Sequence, residues 1–225
     1  MVAIFCTRRA LTQFLHLPVI AMQCSGCSIP GMARPSTSHR ASPRVLLAMA
    51  WMDQAELAAC RAFTRSVRRA GLLRAFQIAS RLGDGVLWYT LMGALALLFG
   101  APGRHIAAQC AIAGVTGLLL YRALKNVLVR ERPYMTHAAI VCRGRPLDRF
   151  SFPSGHTLHA VSFTLIICST MPLLAVVLVP VALLIAASRV VLGLHYPTDV
   201  LAGALLGAGI AQATMNLFPL AAAAT

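Results

Sequence analysis

Residues 153–207 read PSGHTLHAVSFTLIICSTMPLLAVVLVPVALLIAASRVVLGLHYPTDVLAGALLG. Two apolar runs, about 155–171 and 172–192, meet at Met171-Pro172, and a third opens near residue 198 and continues to about 219. A helix needs about 20 apolar residues to cross hydrocarbon, and a proline at the junction sets a tight turn between antiparallel neighbours. Two further runs precede these, at about 86–101, ended by Pro102-Gly103, and at 105–127. The pattern predicts an all-α integral membrane helical bundle of about five transmembrane helices within residues 86–220.

Composition agrees. The 225 residues are 58% hydrophobic and 12% charged, about half the charge of a soluble domain. The net charge is +14, and of the 20 basic residues only Lys125 is a lysine. Eleven of them precede residue 85, against three acids there, Asp53, Glu56 and Asp84. Such a bias attracts anionic lipid headgroups or serves as a topology signal. Nucleic acid is not expected as a partner, because no binding motif or stacking platform is present.

Within residues 53–82, Arg61, Arg65, Arg68, Arg69, Arg74 and Arg81 recur on a helical period around Leu72, Leu73, Phe76 and Ile78. Each arginine placed in hydrocarbon costs about 2.5–3.5 kcal/mol on the insertion scale. Residues 51–85 are therefore expected to form an N-terminal amphipathic helix lying in the interface, broken by Gly83-Asp84-Gly85.

Residues 1–50 read as a poorly ordered basic region. Arg8-Arg9 before an apolar stretch to Met22 has the outline of a signal peptide, but Gln13, His16 and Pro18 interrupt it. Residues 28–44 read as a linker, and Met32 and Met49 are alternative starts for the chain. A redox or zinc role for Cys24 and Cys27 lacks its supporting pattern. Cys110 and Cys168 lie in apolar runs and read as packing residues.

Alternating spans bring four helix ends to one side: the end of the second, the start of the third, the end of the fourth and the start of the fifth. Those ends carry Lys125-x6-Arg132-Pro133, Pro153-Ser154-Gly155-His156 and Ser188-Arg189-x5-His195-x3-Asp199. Three cations, Lys125, Arg132 and Arg189, are thus expected to converge where an unpaired charge is costly, and an external dianion would satisfy them. Taken singly, each also reads as a snorkelling residue at a helix end. Ser154 is a natural N-cap, and Gly155 allows close approach to an anion at the helix N-terminus. His156 stands in the first turn. Asp199, four residues beyond His195, can fix its tautomer and leave the other nitrogen nucleophilic, or simply close the loop as a helix-start anion. His159 lacks an obvious partner and reads as structural. Gly203 and Gly207 have the spacing that lets a neighbouring helix pack closely.

All three clusters, with their spacings, resemble the signature of the type 2 phosphatidic acid phosphatase superfamily, which also includes vanadium haloperoxidases and bacterial nonspecific acid phosphatases. The surrounding SFPSGHT and SRVVLGLHYPTDVLAG look like its membrane-bound branch, and the resemblance covers about 86–215. It implies that His195 attacks phosphorus to form phosphohistidine, that Asp199 orients it and that His156 protonates the leaving oxygen. Lys125, Arg132, Arg189, Ser154 and the Gly155 N–H would hold the phosphate, with no metal or other cofactor. The implied substrate is a membrane lipid phosphomonoester or diphosphate, such as undecaprenyl diphosphate or phosphatidic acid. Haloperoxidase chemistry with bound vanadate belongs to soluble relatives. A non-catalytic lipid-phosphate binding or transport protein is the other class, and it needs no nucleophile. The resemblance implies a multi-pass protein of the cell (inner) membrane acting on its periplasmic face, whereas the basic N-terminal region points to the cytoplasm.

Overall fold

The structure is a computed structural model and describes residues 43–67, 69–128 and 130–219. The expectations for Cys24, Cys27, Arg68 and the signal-like stretch lie outside these residues. The described chain forms α1 (Pro43–Ser66), α2 (Ala70–Leu82), α3 (Val86–Leu98), α4 (Gly100–Val127), the single turn α5 (Pro133–Thr136), α6 (Gly155–Thr170), α7 (Ala175–Val191) and α8 (Pro197–Leu217), with a 3-10 turn at Pro172–Leu174 before α7.

The all-α bundle is as the apolar runs predict, with differences at its edges. The chain turns at Phe99–Gly100, so Pro102 and Gly103 open α4 and do not close α3. A proline in a first turn forfeits no hydrogen bond, because that N–H has no intrahelical partner. Among the described residues, three segments are long and apolar enough to cross a membrane: Gly100–Val127, Pro172–Val191 and Pro197–Leu217. α3 and α6 have 13 and 16 residues, about 20 and 24 Å at 1.5 Å per residue.

The expected single amphipathic helix is two. α1 begins at Pro43 and ends at Ser66, and α2 starts at Ala70. The break is held by Arg143, whose Nη1 donates to the carbonyls of Thr64 (3.1 Å) and Val67 (2.8 Å) at the end of α1, where a helix has acceptors to spare. α2 buries Ala79 and Ser80 and leaves Leu72 and Ile78 exposed.

α6 is the central helix, in contact with α4, α7 and α8. Its Leu158, Phe163, Ile166 and Ile167 share a core with Trp88 and Leu95 of α3, Ile106 and Cys110 of α4, Ile185 of α7 and Ile210 of α8. The packing roles expected for Cys110 and Cys168 hold, the latter partly buried against this core. Gly203 and Gly207 meet α6 directly: a Cβ on Gly203 would stand 2.5 Å from the Ser154 carbonyl oxygen, and one on Gly207 2.3 Å from that of Leu158. These two glycines let α8 lie against the backbone of α6, which carries Ser154 and His156 to the edge where Asp199 opens α8.

Candidate active site

The ends of α4, α6 and α7 and the connection from α7 to α8 meet around a cavity of about 390 Å3. Lys125, Arg132, Gly155, His156, Arg189 and His195 line it, and so does Asp148. Its other wall is apolar and comes from α3, α4 and α6, with Trp88, Met92, Val115, Leu118 and Phe163. Ser154 and Asp199, both fully buried, stand behind the lining.

Arg132 N-caps α5 and Pro133 is its first residue, so the guanidinium leaves a rigid turn. It is 1% exposed. Its Nη1 donates to the Leu194 carbonyl at 2.8 Å and approaches His195 Nε2 at 3.2 Å. A guanidinium only donates, so Nε2 is the acceptor and the ring proton belongs on Nδ1. That nitrogen faces Asp199 Oδ2 at 3.6 Å, too far for a hydrogen bond, and it has no other partner. The expected His195–Asp199 bond is thus a close approach in this state. Asp199 is held by its neighbours: Oδ2 accepts the Tyr196 N–H at 2.8 Å, and Oδ1 lies 2.7 Å from Arg130 Nη1. It is a helix-start anion that stands 3.6 Å from His195. Burial first, then the charges of Arg189, Arg132 and Lys125, hold the His195 pKa well below its ordinary value, so the ring is neutral.

The three cations converge, but an internal carboxylate already occupies part of their field. Asp148 bridges two of them, with Oδ2 2.6 Å from Lys125 Nζ and Oδ1 2.7 Å from Arg132 Nη2. Burial raises the Asp148 pKa, but the bonds and charges of Lys125 and Arg132 outweigh it and keep the carboxyl below the ordinary range. Arg189 differs. It is 1% exposed, donates to Ser80 Oγ of α2, makes no ion pair among the described residues, and leaves Nε without a partner. A buried cation of this kind is costly unless an anion joins it.

Ser154 occupies the N-cap position of α6 without a side-chain cap bond. Its Oγ pairs with Thr157 Oγ1 at 3.0 Å, and its N–H donates to the Asp199 carbonyl at 3.0 Å. The expected cap becomes a tie between the second and third clusters. His159 has partners after all: its ring nitrogens lie 2.9 Å from the Gly155 carbonyl and 3.2 Å from that of Gly114, joining α6 to α4.

Four residues at the site were missing from the sequence reading. Asp148 bridges the cations, Asp84 Oδ1 lies 2.6 Å from His156 Nε2, and Arg130 links Asp199 to Glu56 of α1. The available signal was scarcity: with six acids in the chain, each one that folds inward needs a reason.

Residues 103–222 match the PAP2 superfamily. The chain belongs to this superfamily. It is a membrane-embedded phosphatase, a hydrolase acting on phosphate esters. It is 32% identical over 152 residues to the decaprenylphosphoryl-5-phosphoribose phosphatase of Mycobacterium tuberculosis, spanning 64% of this chain and 79% of that protein. Over 140 residues it is 32% identical to the undecaprenyl-diphosphatase of Sulfolobus acidocaldarius, spanning 61% of this chain and 66% of that one. Its fold resembles the crystal structure of Aquifex aeolicus LpxE, with a TM-score of 0.64 at 24% identity over 71% of this chain and 94% of the other. The PAP2 match starts after α3, so α1, α2 and the Asp84 turn lie outside it.

Proposed function

We propose that this PAP2 protein is a lipid phosphatase that cleaves a phosphomonoester or diphosphate through a phosphohistidine at His195. The observation that carries the reading is the two-sided cavity, in which a neutral imidazole faces buried cations and an apolar wall runs along α3 and α4. A lipid fits both sides, with its phosphate among the cations and its chain on the apolar wall.

In the proposed sequence the phosphate takes its place among Lys125, Arg132 and Arg189, displacing Asp148 and giving Arg189 its missing anion. The Ser154 hydroxyl and the Gly155 N–H add donors. Arg132 turns to a phosphate oxygen and uncovers the Nε2 lone pair. Nε2 attacks phosphorus, and Asp199 stabilises the charge that develops on the ring. As the P–O bond breaks, His156 gives a proton to the departing oxygen, and water then cleaves the P–N bond. Side-chain cations supply the charge stabilisation that phosphoryl transfer needs. No step draws on a metal.

The relatives support a polyprenyl-linked substrate: two of them act by name on decaprenylphosphoryl-5-phosphoribose and undecaprenyl diphosphate. Phosphate release by detergent-solubilised protein should be measured against these two lipids and phosphatidic acid. We expect turnover with at least one, inhibition by vanadate, and complete loss in His195→Ala. A folded His195→Ala protein with undiminished turnover overturns the mechanism. Binding without turnover by the unaltered protein favours the non-catalytic alternative. We place the site at the periplasmic face of the cell membrane, and labelling of the half-buried Cys142 in intact cells reports the side.

A further inference from the structure

The turn between α2 and α3, Gly83-Asp84-Gly85, reaches into the cavity from outside the family match. Asp84 Oδ1 lies 2.6 Å from His156 Nε2. The turn is shaped for that approach: a Cβ on Gly83 would stand 2.9 Å from His156 Cδ2 and 3.0 Å from Ile185 Cγ2, and Gly85 has φ +121°. We propose that Asp84 is a positioning residue that holds His156 by Nε2–H, favours the protonated ring against the cations around it, and so sets the pH range over which it can protonate a leaving group. This rests on the phosphatase reading above and adds a residue that none of the three signature clusters contains.

The electrostatic setting explains the need. His156 faces Arg189 from α7, Lys125 of α4 and Arg132 across the cavity, His195 from the α7–α8 connection, and His159 one turn along its own helix. Cations and imidazoles both oppose a positive His156, and Asp148 in the same lining is engaged by Lys125 and Arg132. Asp84 is the one carboxylate hydrogen-bonded to it among the described residues. Burial pushes the Asp84 pKa up, but its bond to His156 and the charges of His156, Arg189 and Arg145 outweigh this and keep the group ionised.

The proton balance closes. With Nε2–H on Asp84, the imidazolium gives the proton on Nδ1 to the departing ester oxygen as His195 Nε2 bonds to phosphorus and the P–O bond breaks. The neutral ring keeps Nε2–H on Asp84. The water that cleaves the P–N bond returns a proton to Nδ1, and orthophosphate leaves.

The test has two arms. In the first, 15N-imidazole NMR of the substrate-free protein follows His156, assigned by its disappearance in His156→Gln. Asp84→Asn should lower its titration midpoint by about one pH unit or more, the usual effect of losing an adjacent opposite charge, and Asp84→Glu should restore part of the shift. Gly83→Ala, which drives the ring off Asp84, should lower it too if the Asn variant does not fold. An unmoved midpoint in a folded variant overturns the proposal, whether or not the protein proves to be a phosphatase.

The second arm compares leaving groups. On a lipid alkyl phosphate, Asp84→Asn should lower kcat by about tenfold and move the basic limb of the pH profile down. On nitrophenyl phosphate, whose leaving group departs without a proton, the loss should stay within about twofold. Equal losses on both substrates overturn the proposal and assign Asp84 a purely structural role. Inactivity of the unaltered protein on every phosphate ester counts against the phosphatase reading, and the NMR arm then decides the Asp84–His156 pairing alone.

Discussion

Arg130 Nη1 lies 2.7 Å from Asp199 Oδ1. The same guanidinium donates to Thr198 Oγ1 at 2.8 Å and pairs with Glu56 of α1, which in turn accepts the Thr198 N–H at 3.0 Å. The carboxylate behind His195 is therefore held from α1, a helix outside the family match. Glu56→Gln removes the charge that holds Arg130 while preserving shape. We expect it to lower stability by about 1–3 kcal/mol and kcat by about tenfold through a misplaced Asp199. Arg130→Ala should cost more on both counts, because the buried Asp199 then loses the guanidinium that neutralises it. Thermal unfolding and turnover of the purified variants check the order.

The contact of Gly207 with the Leu158 carbonyl separates packing from composition. A Cβ there would sit 2.3 Å from that oxygen, whereas one on Gly209 meets nothing within 4 Å. Gly207→Ala should force α8 off α6, destabilise by about 1–3 kcal/mol and lower activity with it. Gly209→Ala should be neutral, or stabilise by up to ~1 kcal/mol through helix propensity. Equal melting temperatures for the two variants would contradict the close approach.

Arg189 makes a prediction about ligands. Its Nε has no partner and the side chain is buried. Arg189→Met fills similar volume without charge, so the empty protein should be as stable as the parent or more stable. The parent should gain about 2.7 kcal/mol at an orthophosphate or vanadate concentration 100 times Kd, and the Met variant should gain little. Melting curves with and without the anion measure both effects.

His195 and Asp148 together predict acid sensitivity. The folded protein holds His195 neutral well below its ordinary value, while the unfolded chain takes up that proton near pH ~6.5. The unfolded state binds more protons below that pH, so stability declines as pH falls, by about 1.4 kcal/mol per unit for one full proton. The depressed Asp148 pKa acts lower on the scale: its stabilisation is present above ~3.9, the unfolded value, and is lost as pH falls through the folded value. His195→Asn should flatten the decline that starts at ~6.5, and Asp148→Asn the part below ~3.9. Denaturant titrations across pH compare the slopes.

Much of this protein was legible in one dimension. The apolar runs set a helical membrane bundle, because hydrocarbon admits backbone only when its hydrogen bonds close within the segment. Alternating direction brought Lys125, His156, Arg189 and Asp199 to one side without any knowledge of packing. Gly203 and Gly207 announced a close helix contact by their spacing. Helix ends were less legible: α1 breaks after Ser66 where Arg143, remote in sequence, supplies the bonds, and α3 stops at Leu98, ahead of Gly100 at φ +58°.

The acids were the part only the tertiary structure decided. Asp84, Asp148 and Glu56 sit in a turn, a loop and the first helix, at no fixed spacing from the residues they serve. An ion pair forms between groups that folding brings within about 4 Å, and its strength depends on the water excluded around it. Periodicity carries neither quantity. The sequence therefore determined which helices form and which residues share a face of the membrane, through hydrophobicity and direction alone. The fold decided which carboxylate pairs with which cation, and so left Arg189 without an ion pair among the described residues and His156 with Asp84.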